Sequence, residues 1–312
     1  MSEYFLIDFG ASFVKTAIYD ASDNHIRSVG KHLSPLDNKA QLKTCEIVNF
    51  FHKVLQQETP NKVVSCCILG GGYQGDTYYS WKCDNRSHNS VDLVSGLFID
   101  QATFHQHYHH HSAGHQGLRI LGQLCNKIFY SSLADTECVR ASVPLEKGEY
   151  ILNLGTGSQI LGHNHTHSYI PSGRALNVYK NFFDNLGIDL FEMFTQLSYN
   201  DIQNGSMVFD LNLFEQSHMY EAGGKILNIK EQDFTLDNFV SSVFKSYLTQ
   251  YVAIFNDLLA KKIYLTGGIS RKYPVISEFL KNNVSNDPEV ILLNNKVEDT
   301  HVGISNIVRK CL

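Results

Sequence analysis

One short pattern occurs twice in this chain, and it restricts the fold more than any other feature. An apolar strand, Tyr4-Phe5-Leu6-Ile7, runs into the polar glycine turn Asp8-Phe9-Gly10-Ala11-Ser12, and residues 14–19 resume the strand. The second copy is Tyr150-Ile151-Leu152-Asn153-Leu154, then Gly155-Thr156-Gly157-Ser158, then Gln159-Ile160-Leu161. A third glycine turn, Leu265-Thr266-Gly267-Gly268-Ile269-Ser270, joins a strand over 262–265 to a helix over 274–282. Between these, apolar spacing predicts a helix over 40–57, a buried strand over 63–69, a helical stretch over 115–130 and a long amphipathic helix over 236–259. A strand over 290–293 and a short C-terminal helix close the chain. The order is α/β throughout. Each hairpin leads one half, so the expected domains are 1–146 and 147–312, with the junction near Lys147.

The turns carry chemistry that simple chain reversal does not need. A nucleoside triphosphate requires backbone N–H donors close to its phosphates, and glycine permits that approach. It also requires a carboxylate to hold hydrated Mg²⁺. Asp8 stands at a strand end with a glycine turn, the Ser12 hydroxyl and Lys15 behind it. Gly155, Thr156 and Gly157 form a second cradle, and Gly267-Gly268 is a strand-to-helix turn against which a purine can lie. Any one of these reads as a chain reversal; three in this order point to phosphate binding. Neither GxxxxGK[ST] nor GxGxxG is present, which excludes the commonest other nucleotide sites.

These motifs resemble those of the FGGY carbohydrate kinases, within the fold shared by actin, Hsp70 and hexokinase. The first phosphate motif is similar to Asp8-Phe9-Gly10-Ala11-Ser12 with Lys15 and Asp20. The second is similar to Asn153-Leu154-Gly155-Thr156-Gly157-Ser158-Gln159, and the adenosine motif to the segment from Leu265 to Lys272. The sedoheptulokinase group is similar in finer features: Gln74-Gly75-Asp76 followed by Trp81, Ser112-Ala113-Gly114-His115, Gly173-Arg174-Ala175-Leu176 and Gly224-Lys225-Ile226-Leu227.

The resemblance implies two RNase-H-like (actin-like ATPase) domains with an interdomain cleft, ATP and Mg²⁺ as cofactors, and transfer of the γ-phosphate to a sugar hydroxyl. Asp8 would hold the metal through water. Gly10, Ala11, Ser12, Lys15, Gly155, Thr156 and Gly157 would hold phosphates, and Gly267, Gly268 and Lys272 the adenosine end. Gln74, Asp76 and Trp81 would meet a ketose such as sedoheptulose. Asp135, just ahead of the second hairpin, would be general base and a second candidate for the metal. In a polar loop an aspartate also serves as a cap or turn former. Where the family reads Gly-Asp-x-Gln, this chain has Ala134-Asp135-Thr136-Glu137, and it is shorter than typical members around the sugar-contacting part. Two other readings therefore stand beside the first: an ATP-binding sensor or scaffold without catalysis, and a kinase for an amino sugar.

Bulk properties narrow the partners. The formal net charge of −5 argues against nucleic acid, which is bound through a basic surface. The first residues have no signal-peptide pattern and no apolar stretch reaches spanning length, so a cytoplasmic protein with no membrane contact is expected. The 7 cysteines are irregularly spaced and include the adjacent pair Cys66-Cys67, which fits reduced thiols. The histidines from His105 to His115 read as a solvated loop or as a metal-capturing cluster, with no cysteine or carboxylate at ligand spacing. His163, His165 and His167 read as exposed, and the stripe Phe239, Phe244, Tyr247 and Tyr251 as core. Nothing in the sequence marks an oligomeric state.

Overall fold

The computed structural model of the chain describes residues 3–10, 12–37, 39–55, 59–67, 71–80, 92–98, 118–130, 133–213, 223–293 and 297–311. Ala11, Trp81 and the histidine cluster from His105 to His115 lie outside the described residues. The chain forms two compact units, Met1–Pro144 with Asn295–Leu312, and Leu145–Asn294.

The first unit is built on a mixed sheet. Strand β1 (Glu3–Phe9) pairs antiparallel with β2 (Phe13–Asp20), which pairs with β3 (His25–Leu33). On the other side, β1 runs parallel to β5 (Lys62–Cys67), with Asp8 opposite Cys66. Before β5 come β4 (Gln41–Lys43) and helix α1 (Thr44–Val54), so the pattern over 40–57 begins as a strand and becomes helical only at Thr44. Strand β4 pairs with β7 (Thr77–Tyr79) and β7 with β6 (Gly72–Gln74), making a small separate sheet.

The expected helix over 115–130 is instead a hairpin, β8 (Ile120–Leu124) and β9 (Lys127–Tyr130). Its two-residue turn, Cys125-Asn126, takes φ of 53° and 60°, a left-handed pair that reverses the chain and fits the twist of the flanking strands. Strand β10 (Leu133–Ala134) then pairs with β5 and leads into helix α2 (Asp135–Ala141). Phe51 of α1 packs between Phe9 and Phe129, closing one face of the main sheet.

The second unit repeats the opening topology. Strands β11 (Glu149–Leu154), β12 (Ser158–Gly162) and β13 (Thr166–Ile170) form an antiparallel meander, with helices α3 (Gly173–Asp184), α4 (Leu190–Gln196) and α5 (Tyr199–Asn204) after it. A ribbon of β14 (Val208–Phe209) and β15 (Ile226–Leu227) precedes the long helix α6 (Leu236–Asp257). The Thr235 side chain caps α6 by accepting from the Asn238 N–H. Phe244, Tyr247, Leu248, Tyr251 and Phe255 recur at helical spacing and are fully buried, as the sequence pattern predicts; Phe239 is half-buried. Strand β16 (Lys262–Thr266) pairs parallel with β11 and with β17 (Glu289–Leu292), and α7 (Gly268–Lys272) and α8 (Val275–Asn283) lie between β16 and β17.

The last helix, α9 (Asp299–Cys311), does not stay with the second half, where the sequence boundary of 147–312 places it. It packs in the first unit, on the sheet face opposite α1 and against α2. Ile304 and Val308 are fully buried there with Tyr4 and Leu6. Burial of that pair contributes roughly 3–6 kcal/mol, and local sequence cannot reveal which sheet receives it. No helix among the described residues is long and apolar enough to cross a membrane.

Candidate functional site

In the first unit, the sequence-predicted acids meet at the carboxyl end of the parallel strands. Asp8 is the penultimate residue of β1, and Asp135 follows β10 directly. Both strands flank β5, with Asp8 opposite Cys66 and Leu133 opposite Cys66 from the other side. Asp135 stands two residues further along than Asp8, and at the usual strand and residue spacing the two backbones are about 12 Å apart there, room for a phosphoryl group and an attacking hydroxyl. Asp135 is the first residue of α2, where a carboxylate complements the helix end, and its Oδ1 accepts from the Thr136 N–H at 2.8 Å.

Asp8 is held from two directions. Thr300 Oγ1 donates to Oδ2 at 2.8 Å, and the Cys66 thiol lies 3.5 Å from Oδ1. The Cys66 thiol is pushed well above its ordinary range by a hydrogen bond with Cys138 and by burial; Cys138 is raised by burial. Both thiols therefore stay protonated and do not compete with carboxylate oxygen for a hard cation. His301 is buried with Nε2 3.3 Å from the Lys15 carbonyl oxygen, and among the described residues its Nδ1 has no hydrogen-bond partner. Burial holds the imidazole below its ordinary pKa, against the opposing pull of Asp8.

The rest of the first motif is a tight hairpin. The Gly10 N–H donates to the Phe13 carbonyl at 3.1 Å, and a Cβ at Gly10 would stand 2.7 Å from that oxygen. The Ser12 carbonyl accepts from the Ser34 N–H at 2.9 Å. Lys15 pairs with Glu298 at 2.9 Å, so its charge is already partly answered.

The expected sugar contacts sit elsewhere in this unit, on the small sheet. Gln74 ends β6 and is exposed. Asp76 follows Gly75, whose φ is 62°, and its carboxylate pairs with Lys43 at 2.8 Å. The Lys43 hydrogen bond holds the Asp76 carboxyl below the usual carboxylate range. The Asp76 carbonyl also receives the Thr44 N–H at 2.8 Å, so this residue fastens the small sheet to the start of α1.

In the second unit, two glycine turns leave adjacent parallel strands at the same end of the sheet. Asn153 of β11 is opposite Thr266 of β16, and the turns follow each. The Gly155–Gly157 turn rests on the start of α3, where the Gly173 N–H donates to the Gly155 carbonyl at 3.1 Å and the Arg174 N–H to the Thr156 carbonyl at 2.8 Å. Ser172 Oγ reinforces the same Gly155 carbonyl at 3.2 Å and meets the Tyr247 hydroxyl at 3.1 Å, while Ser158 meets Tyr251 at 2.8 Å. A buried polar layer thus fixes the turn from below, and burial drives the Tyr247 hydroxyl far above its ordinary pKa. Ser172 and its neighbours had one sequence signal, a serine ahead of a helical run. Thr300, His301 and Glu298 had none.

Gly267 has φ of 94°, and a Cβ there would stand 2.2 Å from the Leu154 carbonyl oxygen. The fold itself demands this glycine. Gly157 and Gly268 are different: both are exposed, neither has a positive φ, and an added Cβ would meet nothing within 4 Å. Their open faces fit a phosphate chain and a nucleoside brought against bare backbone. Lys272 is exposed and folds back, with Nζ 5.3 Å from the Phe191 ring.

No protein-family model and no curated protein matches the sequence. Solved structures do match. A ligand-bound xylulose kinase from Lactobacillus acidophilus superposes over 99% of this chain and 89% of its own, with a TM-score of 0.59 at 11% identity. The fold is that of the sugar kinases. Plasmodium falciparum glycerol kinase with ADP aligns over 98% of this chain and 89% of its own, at TM-score 0.57 and 12% identity. Gluconate kinase from Lactobacillus acidophilus gives 0.54 at 11% identity, over 99% and 89%. This likeness of fold agrees with the α/β, two-unit organisation that the family resemblance implies.

Proposed function

We propose that the chain is an ATP-dependent kinase of the FGGY type that phosphorylates a hydroxyl of a sugar or polyol. The observation that carries this reading is the placement of Asp135 across β5 from Asp8 at one sheet end. In this reading the second unit holds ATP, with the amides of Thr156 and Gly157 on phosphate and Gly267-Gly268 against the adenosine. The Asp8 carboxylate, oriented by Thr300, holds the water shell of Mg²⁺. Bound Mg²⁺ supplies neutralisation of charge on the transferring phosphate. Asp135 takes the proton of the acceptor hydroxyl as it attacks. A ketose is the proposed acceptor, with Gln74, Asp76 and Trp81 as its proposed contacts, and the cytoplasm the proposed compartment.

The test is ATP consumption with Mg²⁺ across a panel of ketoses, aldoses, polyols and amino sugars, with the phosphorylated product identified by mass. Turnover with one acceptor is expected. Asp135→Asn should retain ATP binding and lose transfer by about 10²-fold or more, the scale of general-base catalysis. Undiminished turnover in that variant removes Asp135 from the mechanism, and ATP binding with no turnover on any acceptor replaces the kinase with a sensor or scaffold.

A further inference from the structure

Away from the acids and the glycine turns, one side-chain pair joins a nucleophile to a base. Cys125 Sγ lies 3.3 Å from Nδ1 of His52. Cys125 belongs to the turn of the β8–β9 hairpin and His52 to the last turn of α1, so folding and not local sequence brings them together. Solvent reaches both: His52 is exposed and Cys125 is half-buried. The backbone fixes the thiol. Cys125 has φ of 53° in its two-residue turn, a position that ordinarily takes asparagine, aspartate or glycine.

The other described cysteines lack this arrangement. Cys66, Cys67 and Cys138 are buried, away from any reagent. Cys45 and Cys311 are exposed, but neither has an imidazole in hydrogen-bond contact among the described residues. Partial burial pushes the Cys125 thiol up, so at neutral pH it is not a standing thiolate. Attack by its sulfur then depends on a neighbour that takes the proton, and His52 Nδ1 is within reach to do so. The charged residues adjoining the pair in sequence are Lys53, beside His52, and Lys127, whose Nζ donates to the Thr59 carbonyl at 2.6 Å. Both are cations, which favour an anionic sulfur.

We propose that Cys125 is a modification site for small disulfides, with His52 as its base. Sγ attacks one sulfur of the disulfide, and its proton passes to His52 Nδ1. The S–S bond of the reagent breaks as the mixed disulfide forms, and the departing thiolate takes the proton back from the imidazole. Cys125 is oxidised, the departing half is reduced, and no further oxidant enters. The turn stands near the amino end of β5, where Lys62 is opposite Ile128, whereas Asp8 and Asp135 stand at its carboxyl end. The modification therefore leaves those acids unblocked, and it does not depend on the kinase reading.

The full chain incubated with oxidised glutathione, quenched over time and mapped cysteine by cysteine by mass, tests this. At pH 7 Cys125 should gain glutathione at least about tenfold faster than Cys311. His52→Gln should slow Cys125 by about tenfold or more and leave the rates at Cys45 and Cys311 unchanged. In the parent, the rate at Cys125 should rise across the imidazole range, about pH 6–7. In the variant it should rise only toward ~8.5, where a thiol ionises unaided. A merely structural His52 would not move that profile. His52→Ala, at an exposed helix position that suits alanine, repeats the comparison where the glutamine variant loses its circular dichroism. A Cys125 that reacts no faster than Cys311 overturns the proposal, and so does a folded His52 variant with the parent's rate and pH profile.

Discussion

Replacing Gly303 with alanine puts a methyl group where there is no room for one. The Cβ would stand 1.6 Å from the Cys138 carbonyl oxygen and 2.5 Å from its carbon, where real contacts do not fall below 3.0 Å. Both obstacles are backbone of α2, so no side-chain rotation relieves the clash, and α9 must retreat by more than an ångström. Helix α9 has 13 residues. A gap of that depth along its contact face amounts to about 150 Å³, which at ~24 cal/mol per Å³ costs about 3–4 kcal/mol. Bending of the helix lowers this toward the ~1–3 kcal/mol of ordinary overpacking. Either figure is a large part of the ~5–15 kcal/mol that holds a domain folded. Scanning calorimetry is the suitable assay, because two units can unfold in separate steps. The transition containing the first unit should fall by several degrees or more, and the second unit's should hold. The same retreat would draw Thr300 away from Asp8, so Mg²⁺-dependent activity should fall even below the transition. Lys310→Ala, on the exposed end of α9, should change stability by less than about 0.5 kcal/mol. A Gly303→Ala protein within about 0.5 kcal/mol of the parent would refute the close helix contact and the argument built on it.

Two further outcomes follow from the same geometry. Burial lowers the pKa of His301 in the folded protein below the ordinary 6.5 it regains on unfolding, so under mild acid the unfolded chain binds the extra proton. Its contribution is intact above about pH 6.5 and is lost as pH falls toward the folded pKa, at up to ~1.4 kcal/mol per pH unit; urea titrations should show His301→Gln flattening that slope, and parallel curves would refute it. Gly157→Ala and Gly268→Ala should leave stability unchanged or raise it by ~0.4–1 kcal/mol, since neither Cβ meets an obstacle, while calorimetric titration finds ATP affinity reduced; unaltered affinity in both would remove these turns from the nucleotide site.

What was legible in the sequence follows from the range over which each residue's reason acts. The two hairpins were readable because alternation and a glycine turn are local, and β1–β2 and β11–β12 pair as that pattern requires. The hairpin over 120–130 was hidden because Leu118, Leu121, Leu124 and Ile128 imitate helical spacing, and its turn uses cysteine and asparagine at positive φ rather than glycine. The shell around Asp8 was hidden for a different reason: Thr300 lies 292 residues away, and no local pattern connects them. The glycines separate these cases. Gly267 is required by its own φ and by Leu154, so its presence alone does not speak for a ligand. Gly303 is required by Cys138, a contact visible only after folding. At Gly157 and Gly268 the folded chain would admit a side chain, and at Gly268, the first residue of α7, alanine would suit the helix better. Among the described residues, packing gives no cause for glycine at either place. The proposed nucleotide would supply one, since both turns leave the carboxyl ends of adjacent parallel strands, where α/β proteins bind their ligands.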